Sequence, residues 1–452
     1  MQTKFKTLAV STLLVTALPA YATNGMNMEG YGPVAHAMGG AALAYDNGTA
    51  ALMNNPATLA LMADGTRLDL AAGFLGPNVS VNGKSSSADA FVMPAFGVAH
   101  KRGDFVTGFG VFSQGGMGTE FANAGTFSSL SSMMGSTVAD PGLHNRSEVG
   151  VGRALIPVAW KVNDRLTLGG SVDYVWATMD LQMLIDGRRF GDMITGMGGS
   201  GRFGTANGSL LNALGSMGDV NWGYFNFSDN NRFSGAAKAY GWAGKLGATY
   251  AFTPQLTAGA VYQTKTDLSD MHAGGATLLL NGGGMTMPVK GSVTVKNFQW
   301  PEMYGIGVSY TPDDRWQVAA DYRRIGWAAV MKRFQMTFDG GAMGSLNLSL
   351  NQDWKDQNIL MLGASYRYTP QLTLRAGLNV ANNPIASSTV NPLFPAIVKS
   401  HVSAGLGYQI NKGSSVDASV VYAPKVKMQS DFSGSQISHG QTNAQIMYSM
   451  FF

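Results

Sequence analysis

The side chains of this 452-residue chain that could do chemistry are few and far apart. Six histidines, His36, His100, His144, His272, His401 and His439, show no metal-ligand spacing, and there is no cysteine to assist them. Nothing brings a nucleophile, a base and an orienting group together, so the reading includes no catalytic residue, no cofactor and no metal, and the chain is not expected to be an enzyme. Gly196-Met197-Gly198-Gly199-Ser200-Gly201 fits a dinucleotide-binding spacing, but no strand–helix–strand unit surrounds it and it reads as loop. What remains is isolated charge. Arg153, Lys245, Lys265, Arg323 and Arg375 stand on the polar parity of alternating stretches, as do Asp173, Asp321, Asp417 and His401. A basic residue so placed can hold the carboxylate of an enclosed ligand, or it can pair with one of these aspartates; both roles stay open, because buried charges are usually paired.

The elements that carry these residues are strands. Leu166, Leu168, Val172, Tyr174 and Trp176 share one parity, with Thr167, Ser171 and Asp173 on the other. One turn recurs: an aromatic closes a strand, a few polar or turn-forming residues follow, and the next strand opens. It appears at Trp160–Leu166, Tyr250–Leu256, Tyr310–Trp316, Tyr366–Leu372 and Tyr408–Ser414, and in degenerate form at His100–Phe105. Six short turns joining strands in pairs, with one strand before the first and one after the last, predict 14 strands. The segments on the other side, notably Gly115 to Asn145 and Gly187 to Asn231, are long. That asymmetry fits an outer-membrane barrel, whose apolar face meets lipid and whose charges line the lumen.

The chain ends agree. Lys4 and Lys6, an apolar run from Leu8 to Leu18, and Ala20-Tyr21-Ala22 have the layout of a secretory signal peptide spanning residues 1–22. Of the 31 basic residues, loss of Lys4 and Lys6 leaves 29 against 27 acidic ones, a balance that gives no reason to expect a nucleic-acid partner. No later window is apolar enough for a spanning helix, so a membrane protein of this sequence must be a barrel. The 59 glycines, the 10% of aromatic residues and the absence of cysteine fit an exported β protein. The last strand alternates Ile446, Tyr448, Met450 and Phe452 against Gln441, Asn443 and Gln445, and it ends on a carboxy-terminal Phe, similar to the closing strand of bacterial outer-membrane barrels.

Residues 23–64 lack this alternation, and Val34 to Ala44 reads as a small-residue helix. The run Gly39 to Ala57, ending in Asn55-Pro56-Ala57, resembles the amino-terminal hatch of the FadL family of outer-membrane transporters for long-chain fatty acids and other hydrophobic compounds. Ser113 to Phe121 resembles the end of that family's third strand, where a kink at glycines, here Gly115, Gly116 and Gly118, opens the wall; a flexible loop start is the plainer reading. The resemblance implies an all-β fold, a transmembrane antiparallel barrel (65–452) plugged by a small, mostly helical hatch (23–64). It implies passive transport of a hydrophobic small molecule, most simply a fatty acid, captured by outer loops, held inside and released laterally into outer-membrane lipid by a monomer. Met193, Ile194, Met197, Leu210, Leu211 and Leu214, in the longest outer loop, are candidates for capture, or else they pack that loop on itself. Aromatic hydrocarbon uptake is the alternative within the family, and a structural or adhesive barrel without transport is the alternative outside it. A basic residue in an inner pocket would favour fatty acids, and an entirely apolar pocket would favour hydrocarbons.

Overall fold

In the computed structural model, residues 24–121, 142–195, 203–214, 220–231, 234–431 and 433–452 are described; the segment 1–22, expected from the sequence to be a signal peptide, lies outside them. The six turns read from the sequence join adjacent antiparallel strands. Their chemistry is shared. Asn163 Oδ1 accepts the amides of Arg165 and Leu166 at 2.9 and 3.0 Å, and Asp313 Oδ1 those of Arg315 and Trp316 at 2.9 and 2.7 Å. Thr253 and Thr369 do the same through Oγ1. A short polar side chain thus satisfies the amides that a tight turn frees, which is why Asn, Asp and Thr recur at one place in the repeat.

The sheet closes on itself. The first strand, Gly65–Val81, pairs antiparallel with the last, Gln436–Phe451, from Arg67 opposite Phe451 to Val81 opposite Ile437. Closure leaves no edge to face lipid, as a membrane with no water requires. The alternation sorts as chemistry demands: Leu168, Val172 and Tyr174 are exposed, while Thr167, Asp173 and Val175 between them are buried. Aromatics mark two levels on the exposed face. Phe105 stacks on Trp160 beside the short turns, and Tyr174 meets Tyr240 and Trp242 higher up. Tyr250 and Tyr240 lie on one strand, Ala237–Ala251, ten residues apart. At ~3.3 Å per residue and a tilt of ~40° that separates the levels by ~25 Å, the height of an apolar membrane band. Among the described residues no helix is long and apolar enough to cross a membrane.

Two expectations are corrected. The fold is an all-β barrel, but not the expected one of 14 strands: among the described residues the sheet is cut into 22 strands. Alternation read from turn to turn passes over breaks at 264–266, 297–302, 326–332 and 352–356. There Pro301 lacks an amide hydrogen, and Asn297 and Asp353 adopt φ of 55° and 47°, so pairing cannot run through. Beyond the breaks, the hairpins Met271–Gly282 with Met285–Lys296 and Arg333–Asp339 with Ser345–Asn351 extend the sheet on the side away from the short turns. The breaks send Trp300, Trp327 and Trp354 inward, stacked edge to face at 5.4 and 5.2 Å.

The amino-terminal segment is also less helical than expected. The helix read over Val34–Ala44 is confined to Pro33–Ala37, because Gly39 and Gly40 take φ of 68° and 93° and turn the chain away. Short turns of helix at Gly48–Ala50, Ala51–Asn54 and Pro56–Leu61 complete the segment, which is buried against the inner faces of the strands. Replacing Asn163 with Ala, which deletes one turn's acceptor for two amides, is expected to lower stability by about 1 kcal/mol in urea unfolding of the vesicle-inserted barrel.

Candidate functional site

The wall is incomplete in one place. Strands Phe91–Arg102 and Phe105–Phe121 pair from their turn only as far as Ala95 opposite Phe112. Beyond that point Phe91–Pro94 pairs only with the first strand, and Ser113–Phe121 only with Asn145–Lys161. The two sides meet again above, where Ser87 N–H donates to the Glu120 carbonyl at 2.9 Å and Glu120 N–H donates to Ser86 Oγ at 2.9 Å. The cause lies in the local sequence. Gln114 is an extra residue in a bulge between Ser113 and Gly115, which bends its strand away from Pro94, a residue with no amide hydrogen to give.

The amino-terminal segment lies along the open seam. Gly116 N–H donates to the Met26 carbonyl at 3.0 Å, Asn27 bridges Gly115, and Tyr31 Oη donates to the Gln114 carbonyl at 2.8 Å. A Cβ at Gly115 would collide with the Met26 carbonyl, and one at Gly118 would stand 2.8 Å from the Phe91 ring, so this approach needs glycine at both. Asn27 Oδ1 accepts from Trp300 Nε1 at 3.3 Å, which joins the seam to the tryptophan stack.

Between segment and wall is a cavity of about 380 Å³. Its apolar lining includes Met26, Phe91, Met117, Val149 and Trp176, and Val92, 55% exposed, lies on its rim. Among its polar lining residues are Glu29, Glu148, His439 and Gln441, and among the described residues no lysine or arginine lines it. A smaller pocket lined by Met179, Met183, Met331, Phe334 and Phe394 shares Met26 and Val149 with it. Two enclosed spaces thus adjoin through the same pair of side chains.

The charged residues on the polar parity serve other ends. Lys245 Nζ donates to the carbonyls of Leu52 and Met53, both at 2.8 Å. Arg323 Nη2 donates to the Gly40 carbonyl at 2.8 Å, beside Asp321, whose Oδ2 accepts the amides of Ala42 and Leu43 at 2.8 and 3.2 Å. Asp69 Oδ2 takes Thr49 N–H and Oγ1–H at 2.7 and 2.8 Å. Arg153 pairs with Asp173 at 2.7 Å and donates to Gln114, and Arg375 pairs with Asp417 at 2.8 Å. Wall charges therefore hold the backbone of the inner segment or hold each other, and none of these basic residues lines the cavity. Lys265 departs from its parity: the break at 264–266 turns it outward, and it is exposed.

Asn55, Pro56 and Ala57 lie at a junction in the segment. Asn55 Nδ2 donates to the carbonyls of Leu43 and Ala248 at 2.7 and 3.3 Å, and its Oδ1 accepts Ala57 N–H at 3.1 Å. Pro56 opens the turn of helix, and Thr167 Oγ1 donates to the Ala57 carbonyl at 3.0 Å. The outer-loop candidates fall elsewhere. Met193 is buried and Ile194 half exposed on helix Gly187–Thr195; Leu210 is buried and Leu211 packs beside it on helix Leu210–Leu214; Met197 lies outside the described residues. Of these, Met193, Ile194, Leu210 and Leu211 line neither cavity, and the Leu214 side chain lies outside those described. Sequence reasoning missed Met26, Trp176 and His439, which come from three distant stretches; the glycines at 115–118 were the only local signal.

At the other end of the segment, His36 Nε2 lies 2.8 Å from Glu29 Oε1, and Asn443 Nδ2 donates to the same oxygen at 2.9 Å. Burial alone would raise the Glu29 carboxyl, but the attraction of His36 and these hydrogen bonds hold it well below the usual carboxylate range. Among the described residues no group of His, Asp or Glu is arranged to hold a metal ion.

A family model described as outer membrane protein transport protein (OMPP1/FadL/TodX) matches residues 11–448. The crystal structure of the Pseudomonas putida toluene transporter TodX is 31% identical with a TM-score of 0.82, covering 94% of this chain and 99% of that one. The Ralstonia pickettii toluene transporter TbuX is 33% identical with a TM-score of 0.78 over the same shares. The long-chain fatty acid transport protein of Escherichia coli K12 is 23% identical over 164 residues, 35% of this chain and 36% of that protein. The chain thus spans less than half the length of the curated relatives it matches.

The contacts that Lys245 and Glu29 make with the inner segment have two testable outcomes. Lys245→Met leaves two buried carbonyls without a donor, a cost of roughly 1–3 kcal/mol, and should speed hydrogen exchange at residues 50–60. Because its pKa is lowered on folding, Glu29 contributes stability above the ordinary carboxyl value of about 4.3 and loses it as pH falls toward the lowered value. Protection factors in residues 24–40, exchange rates taken relative to the intrinsic rate at each pH, should therefore be unchanged from pH 7 to pH 5 and fall on further acidification.

Proposed function

The chain belongs to the OMPP1/FadL/TodX family of outer membrane transport proteins, and from that premise we propose that it carries neutral hydrophobic molecules of aromatic size through the wall seam into the membrane. Family membership makes it an outer-membrane β-barrel that transports hydrophobic compounds and is not an enzyme. The choice of substrate and the route are the proposal.

One observation carries the choice: among the described residues the cavity at the seam has two carboxylates and no lysine or arginine in its lining. A fatty-acid headgroup would be buried there beside like charges, which opposes binding. The basic residues that could have held it, Arg153, Lys245, Arg323 and Arg375, are engaged by the inner segment or by aspartates. A neutral aromatic meets no such cost, and Met26, Met117 and Trp176 offer it an adaptable apolar lining. The structures of toluene transporters similar over nearly the whole chain are in keeping with this.

The route follows from where apolar surface leads. A molecule arriving from outside enters the pocket at Met179 and Phe394, passes Met26 and Val149, and reaches the cavity whose rim is Val92. Each buried CH₂ is worth about 0.8 kcal/mol, so release into water would be slow, and release into lipid avoids that barrier. Residues 23–64 act as a hatch that bars the straight path, pinned at Asn55-Pro56-Ala57. Gly115, Gly116 and Gly118 act as the lateral gate. The closed wall and its lipid-facing exterior favour a monomer. An adhesive barrel would need neither seam nor cavity.

Cells producing the protein are expected to accumulate labelled toluene faster than cells lacking it, with palmitate accumulating no faster. Deleting Gln114, the extra residue of the bulge, should restore pairing across the seam and return toluene accumulation to the rate of cells lacking the protein. Faster uptake of palmitate than of toluene, or full activity after the deletion, would overturn the proposal.

A further inference from the structure

We propose that the wall cavity selects a hydrophobic molecule that bears a hydrogen-bond donor, a phenol or an aromatic amine in preference to a bare hydrocarbon; this rests on the cavity being the transport site. The argument begins with two buried acceptors that no protein group satisfies. Glu29 Oε1 takes both His36 Nε2 and Asn443 Nδ2, at 2.8 and 2.9 Å, while Oε2 has no partner. His439 Nδ1 lies 2.8 Å from the Pro395 carbonyl. A carbonyl only accepts, so Nδ1 carries the proton, and the neutral ring keeps a lone pair on Nε2, which also has no partner. Glu29 is fully buried and His439 is 3% exposed.

An acceptor buried without a donor is costly; other buried polar atoms in the protein also lack a partner, but these two belong to residues that line one and the same cavity. Two at one site, on residues more than 400 positions apart in sequence, mark a place where a donor is to be supplied. Among the described residues the lining offers no cation that could supply it, and Glu148 is already paired with Arg146 at 2.6 Å. A ligand hydroxyl or amine does so: O–H or N–H donates to Glu29 Oε2 or His439 Nε2, and the ring packs among Met26, Met117 and Trp176. A carboxylate brings only acceptors and a third negative charge. Toluene leaves both acceptors unsatisfied.

The test is calorimetric titration of the full-length protein in detergent with o-cresol, toluene and 2-methylanisole, the last being o-cresol with its donor capped. The expected result is o-cresol binding about tenfold more tightly than 2-methylanisole, the scale of one hydrogen bond to a buried charged acceptor, and at least as tightly as toluene. In H439F or in E29M that preference should shrink severalfold. Equal binding of all three by the wild-type protein overturns this inference and leaves the transport reading standing. Saturable binding of none of them overturns both. A preference undiminished in both H439F and E29M places the acceptor elsewhere and also overturns the proposal.

Discussion

Inside a membrane there is no water to satisfy a backbone amide or carbonyl, and every part of this protein answers to that constraint. It explains why the first strand must find the last. It also explains why a break in the wall is permitted only where another piece of backbone is at hand. At the seam that piece is the stretch from Met26 to Tyr31, whose groups face the amide of Gly116 and the carbonyl of Gln114. The opening and the inner segment are thus one structure: remove the segment and the bulged strand is left with groups that nothing satisfies.

The same logic governs the charges. A lumen lined by both signs would be expected to bind ions or polar solutes, but here the carboxylates and cations are spent on backbone. Asp69 and Asp321 accept amides of the inner segment, and Lys245 and Arg323 donate to its carbonyls. A segment with so little regular helix has many free amides and carbonyls, and a ring of wall charges is what lets it stay buried. Once those groups are engaged, the remaining space has the character of its apolar lining and of the few polar atoms left over, Glu29 and His439 among them.

Much of this was legible in the sequence because it is local. The turns, the lipid-facing parity and the glycines of the bulge all show within ten residues, and the possibility that each cation is held by a neighbour follows from burial alone. What was not legible depends on tertiary contact or on breaks in a period. Four interruptions cut the sheet into more strands than the turns suggest, and one of them turned Lys265 to the outside. Two residues of positive φ, Gly39 and Gly40, ended a helix that composition favoured. The cavity gathers Met26, Trp176 and His439 from the start, middle and end of the chain, so no window of sequence contains it. The outer-loop methionine and leucines drew attention by composition, yet Met193 and Leu210 are satisfied by their own neighbours.

The pairing of Gly65–Val81 with Gln436–Phe451 has a further consequence, for assembly. The two strands that close the wall are the most distant in sequence, so closure cannot happen until the last residues are available. The segment it encloses was made first. Threading some forty residues, with their turns of helix, into a finished cylinder would mean passing them through a filled bore. The interior must instead be furnished while the sheet is still an open, curling surface, its early residues already lying against the strands that will surround them. The final strand then acts as a seal: a chain that closes empty has no path by which to correct the error.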